Sequence, residues 1–120
     1  MEKELPAGTG LILGKFLPLH KGHCHLIETA RKKVKRLIVL VGTLKREPIP
    51  GELRYRWVKE TFPEVDVYHL TDENPQEPGD HPDFWNIWVR SIRKFCPAGP
   101  DIVFTSETYG DELARRLGAV

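Results

Sequence analysis

The run Leu37-Ile38-Val39-Leu40-Val41 limits what this chain can become more than any other stretch. Five apolar residues without polar alternation need cover on both faces, the signature of a central strand in a parallel sheet. A second apolar run, Gly10-Leu11-Ile12-Leu13, ends at Gly14. Between the two, residues Lys21 to Lys35 place Leu26, Ile27, Ala30 and Val34 on one helical stripe. Strand, helix and parallel strand make a right-handed crossover unit. Gly42 and Thr43 then fall at the carboxyl edge of the sheet, where ligands bind in such folds.

The rest of the chain continues the alternation. A helix is expected over Glu52 to Thr61, burying Leu53, Trp57 and Val58, with Arg54 and Arg56 off that stripe. Val65 to Leu70 reads as a third strand, partly alternating and so nearer an edge. The polar connection from Thr71 to Asp83 is long, and long ordered loops tend to carry function. Asp80 or His81 is placed to cap the next helix, with Pro82 in its first turn. That helix has a core stripe of Trp85, Val89, Ile92 and Cys96, with Trp88 on the same side. A fourth strand, Asp101 to Thr105, precedes a last helix ending at Leu117 with Gly118 as its C-cap. The expectation is an α/β fold in one domain spanning 1–120: a doubly wound parallel sheet with helices on both faces.

The junction between the first strand and first helix carries the chemistry. It reads Gly14-Lys15-Phe16-Leu17-Pro18-Leu19-His20-Lys21-Gly22-His23. Helix N-termini present outward N–H groups and partial positive charge, so this junction suits a phosphate. Gly14 allows the chain to turn, and Pro18 keeps the loop from continuing as helix. His20 and His23 lie three apart, on one helix face, with no side chain at Gly22 between them. Lys15 adds a point charge across the loop. Together they offer several donors to an anion. Two histidines at this spacing also occur as an ordinary helix start. A zinc site from His20, His23, Cys24 and His25 fits poorly, because adjacent residues cannot share a helix face.

The whole ten-residue pattern resembles the first signature of the nucleotidylyltransferase superfamily, the His-x-Gly-His enzymes. Two further segments are similar to nicotinamide-nucleotide adenylyltransferases of the bifunctional NAD-regulator type: Pro82-x-x-Trp85-x-x-Trp88, and Val103-Phe104-Thr105-Ser106-Glu107 with Tyr109-Gly110. The resemblance spans Gly10 to Gly118. It implies a Rossmann-like sheet of order 3-2-1-4-5. It implies that His20, His23 and Lys15 act on the phosphates. Gly14, Phe16, Gly22, Thr105 and Ser106 are implied beside ATP. Thr43 at the strand edge, Arg56 and the two tryptophans are the candidates for the acceptor; Arg54 is a further candidate near the nucleotide, and Pro-x-x-x-x-x-Arg-x-x-Trp is the corresponding pattern. For the arginines, solvated helix positions are the alternative; for the tryptophans, core packing; for Ser106, a helix N-cap. The family's fifth strand and second phosphate signature would follow Val120, so the resemblance implies either a C-terminally shortened chain or a phosphate grip supplied from elsewhere.

The implied activity is adenylyl transfer from ATP to nicotinamide mononucleotide, with Mg²⁺ carried on the triphosphate. The alternatives are a non-catalytic or fragmentary nucleotide-binding module, an adenylyl- or cytidylyltransferase for another phosphorylated acceptor, and an interaction domain. A formal net charge of +1 favours neither nucleic acid nor a membrane surface as partner. The two cysteines, Cys24 and Cys96, mark no disulfide scaffold, and a cytoplasmic setting is expected. The sequence is compatible with a homo-oligomer.

Overall fold

The computed structural model describes residues 7–105 and 110–120. Among these residues four parallel strands form one sheet in the order β3-β2-β1-β4. They are β1 (Ala7–Gly14), β2 (Val34–Gly42), β3 (Asp66–Leu70) and β4 (Ile102–Val103). The helices are α1 (Lys21–Arg31), α2 (Gly51–Thr61), α3 (Phe84–Arg93) and α4 (Gly110–Leu117). Among the described residues no helix is long and apolar enough to cross a membrane.

The non-alternating run is sandwiched as its composition demands. Val39 and Val41 join Ile12 and Val67 in a core closed by Ile27 and Ala30 of α1 and Val58 of α2. Ile38 and Leu40 face the other way, with Leu11, against Ile92 of α3 and Leu113 and Leu117 of α4. Neighbouring residues on one strand therefore feed opposite cores. Burying each such aliphatic side chain contributes about 1.5–3 kcal/mol. As the edge reading of the third strand requires, β3 is an edge strand among the described residues, pairing with β2 from Ile38↔Asp66 to Gly42↔Leu70.

Several boundaries differ from the sequence expectation. The first helix stops at Arg31, and Lys33 N–H turns back onto the Ala30 carbonyl. Val34 is therefore not on the helix: it opens β2, pairs with Ala7 and is buried. Lys32, Lys33 and Lys35 lie beyond the helix, leaving Arg31 as the basic residue of its last turn. Both β1 and β2 begin three residues early because their backbones pair through Thr9↔Arg36, a stretch whose glycine and charge hide it from an apolar-run reading. The fourth strand shrinks to two residues, Gly10↔Ile102 and Leu11↔Val103. Arg54 is not off the buried stripe of α2 but at its centre, while Leu53 and Trp57 are half-buried. On α3, Trp85 and Val89 are half-buried and Phe84 and Ser91 take buried positions. Asp83, without a side-chain bond, stands at its N-cap, and His81 Nδ1 accepts the Asp83 N–H at 2.9 Å.

Gly118 closes α4 as expected, with φ +73°, a left-handed geometry that suits glycine. Ala119 N–H reaches the Ala114 carbonyl and Gly118 N–H that of Arg115, the paired bonds of a Schellman cap. Val120 then lies along the outer edge of β4, donating to the Asp101 carbonyl and accepting from Val103 N–H, both at 3.0 Å. That is a parallel bridge on the side where order 3-2-1-4-5 puts its fifth strand.

Candidate active site at the first strand–helix junction

At the end of β1 the chain makes a turn that only its particular residues allow. Phe16 adopts φ 52° and is 2% exposed. A side chain in that left-handed region costs about 1–2 kcal/mol, offset here by burial of the ring. A Cβ on Gly14 would stand 3.0 Å from that ring. The Phe16 ring meets the His23 ring edge-on at 4.8 Å. Gly14 and Phe16 thus form a floor beneath His23.

Above that floor, the two histidines cap α1 reciprocally. His20, extended at the N-cap, accepts the Gly22 N–H through Nδ1 at 3.0 Å. The His20 N–H donates to His23 Nδ1 at 3.2 Å. The rings stack with centroids 3.7 Å apart. A Cβ on Gly22 would come within 2.9 Å of His20 Cε1, so glycine keeps the stack open. Because both Nδ1 atoms accept, the proton of each neutral ring is assigned to Nε2. Burial, then the neighbouring His20, pushes the His23 pKa below 6.5, favouring that neutral form. The cap therefore yields two Nε2–H donors at a helix N-terminus.

Lys15 is 45% exposed and pairs with Glu47 Oε2. Glu47 is 8% exposed, and its other oxygen accepts Leu44 N–H and Arg54 Nη2–H, both at 2.8 Å. Burial opposes its charge, but the bonds from Lys15, Leu44 and Arg54 outweigh it, and its pKa falls to about 2. Arg54, 0% exposed, also donates to the carbonyls of Lys15 and Ile49 at 3.0 Å. One guanidinium thus ties the loop after β1 to the loop after β2.

Thr43 sits at the sheet edge as expected, but its hydroxyl is buried against His69 Nε2 at 2.7 Å. His69 stacks on Tyr55, and burial, outweighing Glu52, lowers its pKa. A Cβ on Gly51 would meet both Thr43 and His69, so this pair seats the start of α2. Thr43 therefore supports α2 through its hydroxyl. Arg56 is exposed, on a different side of α2 from the buried Arg54.

The tryptophans divide their roles. Trp85 packs edge-on with Phe84, and the Arg116 guanidinium lies 5.5 Å from its ring centroid, so it serves the contact of α3 with α4. Trp88 Nε1–H donates to the Pro75 carbonyl at 2.8 Å, inside the long polar connection. The same connection is tied to α3 by Asn74 to Ser91, Ser91 to Asp72 and Lys94 to Asp72. Of the two, Trp88 is the one on that loop. Thr105 is half-buried, and a Cβ on Gly110 would overlap its methyl, so it lies at the start of α4. Ser106 is outside the described residues. Among the described residues no cluster of three or more His, Cys, Asp or Glu has metal-holding geometry, including the His20, His23, Cys24 and His25 set.

Sequence reasoning missed Glu47 and His69 and undervalued Arg54. The spacing Glu47 to Arg54 carries no helical signal, because Pro48 and Pro50 separate them. Arg54 was marked by the Pro48-x-x-x-x-x-Arg54-x-x-Trp57 resemblance, but its burial was not, because a hydrophobic stripe omits a charged residue by construction even three and four residues from Trp57 and Val58.

A family described as cytidylyltransferase-like matches residues 11–110. The trifunctional NAD biosynthesis/regulator protein NadR of Escherichia coli is 31% identical over a match covering 82% of this chain and 28% of that protein. A nicotinamide-nucleotide adenylyltransferase of Methanococcus maripaludis is 24% identical, over 88% of this chain and 59% of its own. The crystal structure of a NadR protein in complex with NAD and AMP-PNP superposes with a TM-score of 0.73 at 21% identity, over 96% of this chain and 35% of that one. The chain thus spans from 28% to 59% of the length of these relatives.

Proposed function

The chain belongs to the cytidylyltransferase-like family, and from that premise we propose that it transfers the adenylyl group of ATP to nicotinamide mononucleotide, giving NAD and pyrophosphate. Relatives named for this chemistry support nucleotidyl transfer in NAD biosynthesis. The observation that carries the reading is the reciprocal histidine cap, which leaves both Nε2–H groups as donors beside the α1 N-terminus.

In this reaction an oxygen of the acceptor phosphate attacks the α-phosphorus of ATP. The bond from that phosphorus to the oxygen bridging to the β-phosphate breaks, and pyrophosphate leaves with the electron pair. The attacking oxygen is already an anion, so no protein nucleophile is needed. What remains for the protein is alignment and positive charge around the phosphate oxygens. His20 and His23 supply fixed donors, and Lys15 a cationic arm. Thr105, after β4, flanks the nucleotide at the other side of β1. Trp88 offers its face to the nicotinamide ring. Mg²⁺ would be carried by the triphosphate, supplying positive charge to its oxygens; Glu47, which already accepts from three donors, serves Lys15 and Arg54 instead. A cytoplasmic setting completes the reading.

The test is pyrophosphate release from ATP or CTP with a panel of phosphorylated acceptors. Turnover with ATP and nicotinamide mononucleotide is expected. Turnover only with CTP or another acceptor would reassign the substrate, and nucleotide binding without pyrophosphate would make this a binding module.

A further inference from the structure

We propose that Glu47 is the positioning residue for Lys15, holding its ammonium ready for a polyphosphate; this rests on the reading of the histidine cradle as a phosphate site. The two oxygens of Glu47 have separate duties. Oε1 is fixed by Leu44 N–H and by Arg54, while Oε2 takes Lys15. Arg54 in turn holds the Lys15 carbonyl at 3.0 Å. Both ends of Lys15 are therefore held by one buried unit: its backbone by Arg54, its side chain by Glu47.

Three consequences follow from the chemistry. A lysine tip that is half in water loses much rotamer freedom on binding an anion, and Glu47 has removed that freedom beforehand. An ammonium has three donors, so two stay available for phosphate oxygens while one remains on Glu47. The cluster of Lys15, Arg54 and Glu47 keeps one net positive charge, because two cations surround one carboxylate. Glu47 itself stays in place and ionised, being buried and bonded three ways. It acts through Lys15 and does not touch the nucleotide.

Calorimetry with inorganic tripolyphosphate, on the wild type, Lys15→Ala, Glu47→Gln and the double variant, decides it. Glutamine keeps an oxygen for Leu44 and Arg54 but presents no charge to Lys15. Each single variant is expected to bind about tenfold more weakly, the worth of one charge-assisted bond. The double variant is expected to bind no more weakly than Lys15→Ala. In turnover, Glu47→Gln raises the KM for ATP and leaves that for the acceptor unchanged, a split that general loosening would not give. Wild-type affinity in Glu47→Gln, or losses that multiply in the double variant, overturns the proposal while the cradle stands. No tripolyphosphate binding by the wild type overturns the cradle reading, and this proposal with it. If Glu47→Gln is unfolded by circular dichroism, Glu47→Asp replaces it. One methylene shorter, aspartate serves Arg54 but not Lys15, and the same loss is expected; wild-type affinity there overturns the proposal.

Discussion

The His20 N–H donates to His23 Nδ1 at 3.2 Å, and His20 returns the favour one residue earlier by accepting Gly22 N–H. The capping bonds consume one nitrogen of each ring and leave the other as a donor. This separates two roles that a single deletion would confuse. His20→Asn retains an N-cap acceptor and is expected to lose at most a few tenths of a kcal/mol, whereas His20→Ala loses about 1 kcal/mol. Both are expected to lose at least a hundredfold in kcat, because neither places a donor where Nε2–H stood. Urea unfolding beside pyrophosphate release checks the contrast. His23→Ala is expected to stay folded and lose most activity.

Stability should fall on mild acidification. His23 and His69 both have folded pKa values below 6.5, each chiefly through burial. The unfolded chain therefore takes up protons first as pH drops through 6.5, and the folded state loses ground until its own rings protonate. Stability is fully present above 6.5 and declines below it. Urea midpoints at pH 7.5 and 5.5 measure this, and His69→Gln is expected to flatten the slope. Glu47 acts in a separate window. Its folded pKa near 2 against an ordinary 4.5 gives a contribution present above 4.5 and lost as pH falls toward 2.

Arg54 and Arg56, two residues apart, should behave oppositely. Arg54→Ala removes a wholly buried cation with three acceptors and leaves the buried Glu47 to Lys15 and the Leu44 N–H. A loss of about 3–5 kcal/mol is expected. Arg54→Lys restores the charge but cannot reach three acceptors at once, so rescue is partial. Arg56→Ala is expected to change stability by less than about 0.5 kcal/mol. Chemical denaturation of the three variants tests the ranking.

Trp88→Phe removes the bond to the Pro75 carbonyl and is expected to cost about 1 kcal/mol while raising the acceptor KM. Trp85→Phe gives up part of its packing under Arg116 and is expected to affect stability without moving the acceptor KM. Kinetics with the acceptor varied at saturating ATP distinguishes them.

The crossover was legible because it follows from local facts: an apolar run with no alternation, and a strand–loop–helix junction with its glycines and proline in place; the sheet order came only with the family resemblance. The cradle was legible because its donors lie within one turn of chain. What was not legible depends on segments distant in sequence. Lys15 meets Glu47 across 32 residues, and Thr43 meets His69 across 26, and no periodicity encodes either encounter. Arg54 was misplaced for a different reason: a stripe of apolar residues cannot anticipate a charged side chain buried among backbone carbonyls. Val34 went to the helix because its spacing fits one, although its backbone is claimed by Ala7.

Long-range ¹H–¹⁵N correlation spectra of ¹⁵N-histidine-labelled protein test the central claim most directly. Both His20 and His23 are expected to accept at Nδ1 and carry a proton on Nε2, and both Nε2 signals are expected to shift when ATP and Mg²⁺ are added. Protonation at Nδ1 in either ring, or Nε2 signals unmoved by saturating nucleotide, would contradict the account.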